Sequence, residues 1–345
     1  MTGFFFLLSG EHETLPFAEL KAILATKRVK HAELERLPQV LRLDSTLSCV
    51  DPIKNRASMT RTCCQELFNC ESSLVEIVKA MQFIQLDTLL QQGDTFVVRV
   101  HRVGLSARGL TSMVLEQKLG ELILSKIKGV KVNLKNPLKT FFGIITGDRF
   151  LFGLRLATIS PTPFLQRGPR KRPFFHPSAM PAKLARCMVN LAGAREGDLL
   201  LDPFCGTGGF LIEGGLLGCR IVGFDAKKHM VEGTDRNLSF FDLEYDGLGV
   251  ADAKHLPLKR VDCIVTDPPY GRSASTLGHT TERVIQDFLR ASSSSMSQGQ
   301  RMCIAAPKKV HISKLAEDVG FKLKGSYFVY IHRSLTREIS VLEQT

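Results

Sequence analysis

Residues 4–9 are a buried-strand candidate, an unbroken apolar run of three phenylalanines and two leucines closed by Ser9. Thr14 then opens a helix with Pro16 in its first turn and Phe17, Leu20, Ile23 and Leu24 on one face. The pattern is clearer from residue 95. Residues 95–102 read as a strand, and Leu115, Leu119, Leu122, Ile123 and Ile127 mark a helix. Val130, Val132 and Leu134 alternate with Lys131, Asn133 and Lys135 as a half-exposed strand. Two more strands, at 141–145 and 150–154, flank the turn Thr146-Gly147-Asp148-Arg149. Residues 157–177 carry Pro161, Pro163, Pro169, Pro173 and Pro177, a density that predicts a stiff linker without regular hydrogen bonding. Beyond it strands and helices alternate. A helix led by Ser178 carries Leu184, Met188, Val189 and Leu191 and stops at Gly193. Strands follow at 199–201, 220–224, 248–250, 263–266 and 302–305 with helical stretches between most of them. That rhythm predicts a doubly wound parallel sheet, and two strand-like runs at 326–332 and 337–342 add an antiparallel hairpin at its edge.

The chain has 345 residues, 44% hydrophobic and 23% charged, enough for two or three domains with sizeable cores. Nine cysteines, an odd number with no CxxC pair and no zinc-ligand spacing, predict reduced thiols rather than a disulfide framework or a metal site. The first residues lack a basic stretch and soon meet Glu11 and Glu13, so no export leader is expected. The apolar stretch 199–224 is broken by Asp202, Glu213 and Arg220, so no membrane span is expected either. A cytoplasmic protein is expected. The net charge of +12 changes the picture once it is located: residues 98–172 hold fifteen Lys and Arg against three acids, and the rest of the chain is balanced. Arg99, Lys131, Lys135, Arg170, Lys171 and Arg172 are candidate contacts to a polyanion, because phosphates reward clustered cations by releasing counterions. The absence of Trp and the presence of only four Tyr argue against an aromatic platform for single strands.

The first strand of the second half ends in Asp202-Pro-Phe-Cys-Gly206-Thr-Gly208-Gly209. Glycines at such a turn let a ligand approach the backbone, but the third glycine of a GxGxxG would fall on Leu211, which disfavours a nicotinamide dehydrogenase. Asp225, at the next strand tip, is placed to accept ribose hydroxyls. Asp252 with Ala253, after the third, can meet an adenine amino group. Taken alone each Asp reads first as a turn cap, but three of them at successive strand ends form a more specific pattern. The fourth strand ends in Asp267-Pro268-Pro269-Tyr270-Gly271. An exocyclic amine on a base is a poor nucleophile because its lone pair is delocalised into the ring. A carboxylate and the Pro268 carbonyl accepting its two N–H bonds would free that pair, and the prolines stiffen the backbone while removing a competing N–H. Tyr270 can stack on the flipped base.

Asp-Pro-Pro-Tyr with the glycine loop upstream resembles the amino-group methyltransferases that use S-adenosylmethionine. The run from Arg172-Pro-Phe-Phe-His-Pro-Ser-Ala-Met180 through Asp202-Pro-Phe-Cys-Gly-Thr-Gly-Gly resembles the archaeal tRNA guanosine-N2 methyltransferases acting at position ten. Phe96-Val-Val-Arg-Val, Leu115-Glu-Gln-Lys-Leu-Gly and Lys131-Val-Asn-Leu-Lys-Asn-Pro are similar to a THUMP domain. The resemblance implies a ferredoxin-like region at 1–60, THUMP at 61–156, the basic linker at 157–177 and a Rossmann-like methyltransferase domain at 178–345. It further implies that Asp202, Gly206 and Gly208 hold the methionine end of the cofactor, Asp225 the ribose, Asp252 and Ala253 the adenine, and Asp267 to Tyr270 the guanine. Ala182 stands where the family commonly has a second proline, and the loop 276–281 has no counterpart in it. The expected partner is tRNA, with a small activator subunit optional and the chain itself monomeric. Competing readings are a ribosomal RNA guanine-N2 methyltransferase, a DNA adenine methyltransferase and a non-catalytic RNA-binding THUMP protein.

Overall fold

The computed structural model describes residues 2–104, 111–269, 280–333 and 335–345. It divides into two compact units, one of Met1–Glu13, Arg28–Asn55 and Thr60–Ser160, the other of Thr14–Lys27, Arg56–Met59 and Pro161–Thr345.

The first unit holds β1 (Thr2–Leu8), β2 (Ala32–Leu37), β3 (Val40–Ser45), β4 (Thr60–Glu71), β5 (Thr95–Val103), β6 (Lys131–Val132), β7 (Lys139–Thr146) and β8 (Arg149–Thr158). They form one sheet in the order β2-β3-β1-β4-β8-β7-β5-β6. Among the described residues only β5 pairs in parallel, with β7 and β6. A parallel pair needs a crossover, and the helix Ser112–Lys126 lies on that path, its first turn capped by Thr111 Oγ1 accepting the Val114 N–H. Its buried stripe of Leu115, Leu119 and Ile123 belongs to one apolar cluster with Phe96, Phe141, Phe150 and Phe152. The half-exposed strand expected at 130–135 shrinks to the two residues of β6, both exposed. Asn133 ends it: its Oδ1 accepts the N–H groups of Lys135 and Asn136, turning the chain away.

In the second unit β9 (Leu199–Asp202), β10 (Arg220–Asp225), β11 (Gly247–Val250), β12 (Cys263–Thr266), β13 (Arg301–Pro307), β14 (Phe321–His332) and β15 (Leu335–Gln344) form a sheet ordered β11-β10-β9-β12-β13-β15-β14. The first five are mutually parallel, and β15 runs antiparallel to both β13 and β14, as the hairpin reading required. Alternate strand residues feed opposite faces. Leu200, Ile221, Val265 and Cys303 join one apolar cluster, and Leu201, Val222, Ile264 and Met302 the other.

Two expectations for this unit fail locally. The helix expected from Ser178 starts at Ala182, with Pro181 as its cap, because a residue before proline is kept out of the helical region. The proline-rich stretch is not devoid of regular structure. It contains the helix Thr162–Gln166 and a 3-10 turn at Pro169–Lys171, each with proline in its first turn, where a missing N–H leaves nothing unpaired.

The helix Leu15–Thr26, far from this unit in sequence, packs on the helix Ala182–Leu191. Fully buried Glu19 ties it down by accepting the Ser58 and Met59 N–H groups, the Ser58 hydroxyl and the Asn190 amide. Among the described residues no helix is long and apolar enough to cross a membrane.

Candidate functional site

The strand order reverses between β9 and β12, and ligands of open α/β sheets bind at the carboxyl ends beside such a reversal. A cavity of about 1580 Å³ opens there, larger than the few hundred to thousand Å³ usual for one small ligand. Asp202, Gly206, Asp225, Asp252, Ala253, Asp267, Pro268 and Pro269 all line it. Gly208 does not. It sits at φ +75° making the turn, and a Cβ there would approach Thr234 Cγ2 to 2.9 Å, so its part is to shape the loop that Gly206, Thr207 and Gly209 present. Tyr270, Gly271 and residues 276–279 of the unmatched loop lie outside the described residues.

Three of the four aspartates are held by one device. Asp202, Asp225 and Asp252 each accept, through Oδ1, the N–H of the residue two positions on, Phe204 at 3.2 Å, Lys227 at 3.0 Å and Lys254 at 3.1 Å. The turn-cap and ligand readings are therefore compatible, since each cap leaves lone pairs over. Asp225 Oδ2 also accepts the Gly206 N–H at 3.1 Å, fastening the glycine loop to β10. Burial works to raise the Asp252 carboxyl, but the Lys254 N–H and ammonium, 3.0 Å from Oδ2, outweigh it and hold the acid below its usual range. Asp267 cannot use this device, because neither Pro268 nor Pro269 has an N–H. Its Oδ2 instead pairs with Arg337 Nη2 of β15 at 3.2 Å.

Asp202 is the unusual acid. It is 1% exposed, and burial, reinforced by Asp225 and Asp267, pushes its carboxyl up to about 8 against the hydrogen bonds from Thr266 and Phe204. Its Oδ2 is buried with no hydrogen-bond partner among the described residues. Arg172 also lies against the glycine loop, its Nη1 3.5 Å from where a Cβ on Gly209 would stand, but it is not among the residues that line the cavity. Its Nε donates to the Arg167 carbonyl, while Nη1 and Nη2 are buried and have no partner among the described residues. Burial lowers its guanidinium to about 10 against the pull of Glu213, a carboxylate already engaged by Arg167 and Arg186. One unbonded carboxyl oxygen of Asp202 on the cavity wall and an unbonded guanidinium behind the glycine loop are the groups that the ammonium and carboxylate of a free amino acid end would need, which is what S-adenosylmethionine would bring. The residues present fit that cofactor.

Burial corrects one RNA-contact expectation. Arg172 is 5% exposed and cannot reach a phosphate on the surface, whereas its neighbours Arg170 and Lys171 are exposed. In the first unit Lys131 and Lys135 are exposed, and Arg99 is partly so, with Nη1 3.6 Å from Glu116 and Nη2 donating to the Leu134 carbonyl. Part of the segment's excess charge is structural. Lys126 donates to three carbonyls, Arg155 to Thr140, and Arg167 to Glu213.

The sequence reading gave Arg172 to RNA and did not single out Arg337, Thr266, Thr234 or Asn237. Thr266 Oγ1 donates to Asp202 Oδ1 at 2.7 Å, and Thr234 Oγ1 to the Gly206 carbonyl at 2.9 Å. Asn237 bonds the N–H and carbonyl of Phe174 and the Thr207 carbonyl, tying the stretch before Ser178 to the glycine loop. Thr234 and Asn237 sit three apart on the helix Lys228–Phe240, a spacing that one helical face could have signalled. Arg337 has no such signal.

Residues 169–337 match the RMKL-like methyltransferase domain, and residues 71–155 match the THUMP domain. The TrmN structure from Thermus thermophilus superposes with a TM-score of 0.58 at 21% identity, covering 99% of this chain and 100% of that one. A methyltransferase solved with S-adenosylhomocysteine, SMU.472, gives 0.55 at 12% identity, covering 100% and 99%, so both share the fold. Among curated relatives, the tRNA (guanine(10)-N2)-dimethyltransferase of Methanothermobacter thermautotrophicus is 37% identical over 98% of each chain. That of Methanocaldococcus jannaschii is 31% identical over 98% of this chain and 99% of its own. With the site assembled on the matching domain and near-complete coverage of these relatives, the chain belongs to the tRNA (guanine(10)-N2)-dimethyltransferase family.

Proposed function

We propose that the protein transfers methyl groups from S-adenosylmethionine to the exocyclic N2 of guanosine ten in tRNA, giving the monomethyl and then the dimethyl base. The observation that carries this reading is one cavity lined by an Asp-Pro-Pro acceptor, by the glycine loop and by Asp202 with an unbonded carboxyl oxygen. When bound, the cofactor supplies a methyl group activated by its sulfonium. Asp202 and Arg172 hold the amino acid end, Asp225 the ribose, and Asp252 with Ala253 the adenine.

Asp267 and the Pro268 carbonyl accept the two N2–H bonds of the base, which localises the nitrogen lone pair for attack. After the attack Asp267 takes the N2 proton and passes it to solvent. The second transfer needs only one acceptor, since one N–H remains. Tyr270 stacks on the extruded base. Arg99, Lys131, Lys135, Arg170 and Lys171 contact phosphates, which positions tRNA without reading its sequence. The reading takes the chain as a cytoplasmic monomer, with a small activator subunit as an optional partner.

Incubation of the purified chain with tRNA and labelled cofactor, followed by mass spectrometry of the nucleosides, tests it. N2-methyl and N2,N2-dimethylguanosine at position ten are expected. Label on adenosine, or on ribosomal RNA alone, would refute it.

A further inference from the structure

The aspartates at the ends of β9, β10 and β11 have their carboxylates fixed by a backbone N–H two residues on, and the fourth has that device removed by its own sequence. A carboxylate free to rotate about two side-chain bonds spends only part of its time with a lone pair on the amine. Arg337 supplies what the prolines removed. Its register is set on both sides of β15, opposite Pro307 of β13 and Val329 of β14, so its backbone is locked inside the sheet. Its side chain is 9% exposed and stands on the cavity wall with Nη2 on Asp267 Oδ2.

We infer that Arg337 is the positioning residue of the methyl-acceptor site. It takes one oxygen of Asp267 so that the other is presented to the N2 amine. This rests on the reading of Asp267 given above. The contribution is orientation and electrostatics at the reacting nitrogen, so it acts on turnover and leaves cofactor capture alone.

The test uses the full chain with Arg337→Gln and Arg337→Lys. Nucleoside mass spectrometry gives kcat and KM for tRNA, calorimetry gives cofactor affinity, and thermal unfolding reports the fold. With Gln, kcat should fall by about thirtyfold to a hundredfold while KM for tRNA and cofactor affinity stay within about twofold. Lys, which keeps the charge but not the fork, should recover part of the loss. A kcat within about threefold of wild type for Gln overturns the inference, as does a loss shared equally by cofactor affinity or one that Lys does not relieve at all. Should Gln unfold the chain, the Lys variant carries the same kcat-against-KM criterion alone. Failure of wild type to make N2-methylguanosine would instead remove the functional reading and is seen before any variant is compared.

Discussion

Thr266 Oγ1 donates a 2.7 Å hydrogen bond to Asp202 Oδ1, joining the ends of two adjacent strands, β12 and β9, and leaving Oδ2 of the same buried carboxyl unbonded among the described residues. Asp202 is raised to about 8 chiefly by burial, so near pH 7 the free protein carries most of that proton. Placing an ammonium beside it favours the ionised form. Cofactor binding at pH 7 should therefore release close to one proton, seen as a dependence of calorimetric enthalpy on buffer ionisation heat. Release should vanish in Asp202→Asn.

The same shift fixes a sign for stability. Between about pH 4, where the unfolded acid ionises, and about pH 8, the folded chain binds more protons at Asp202 than the unfolded chain does. This acid's contribution to stability is thus fully present at low pH and is lost as pH rises through that window. Relative to wild type, Asp202→Asn should gain unfolding temperature steadily from pH 5 to pH 8. A constant difference would contradict the shift.

Asp267→Asn is the conservative way to test the acceptor, because Ala would leave Arg337 buried without this carboxylate. Asn keeps an acceptor oxygen but loses the charge, so turnover should fall at least about a hundredfold with cofactor affinity nearly unchanged. Asp225→Asn should behave in the opposite sense, raising KM for the cofactor more than it lowers turnover, since a ribose contact is equal in ground and transition states. Steady-state kinetics on both variants separates the two roles.

How far the sequence carried depends on what each feature rests on. The parallel strands, the glycine loop and the four aspartates were legible because strand-end loops obey local rules: an apolar run, a turn, an acid. Glu19 was not. It is an acid on a helix whose pattern shows no need for one inside, yet it is fully buried, and the groups it accepts from come from residues 58, 59 and 190. Arg337 escaped notice for the same reason, its partner lying seventy residues earlier in the chain. The proline-rich stretch misled differently, because proline at the start of a turn is helical and not disruptive.

Glu19→Ala should accordingly be severe. It strands two backbone N–H groups, a hydroxyl and the Asn190 amide in the interior, each costing about 1–3 kcal/mol when unpaired. A loss above about 3 kcal/mol in denaturant unfolding is expected, although the residue lies nowhere in the cavity lining.

The last prediction separates neighbours in sequence. Arg170 and Lys171 are exposed in a 3-10 turn, while Arg172, the next residue, is buried against the glycine loop. Contacts to phosphate are steep in salt and indifferent to base sequence. Replacing Arg170 and Lys171 with Ala should therefore weaken binding to all tRNAs alike and flatten log affinity against log salt by about 1.8, since each duplex contact contributes about 0.9. Cofactor affinity should not move. Arg172→Gln should do the reverse, leaving the salt slope intact and lowering affinity for S-adenosylhomocysteine, with little effect on an analogue lacking the amino acid carboxylate. If Arg172→Gln flattens the slope, or weakens both cofactor analogues equally, the division between surface and interior drawn across these three residues is wrong.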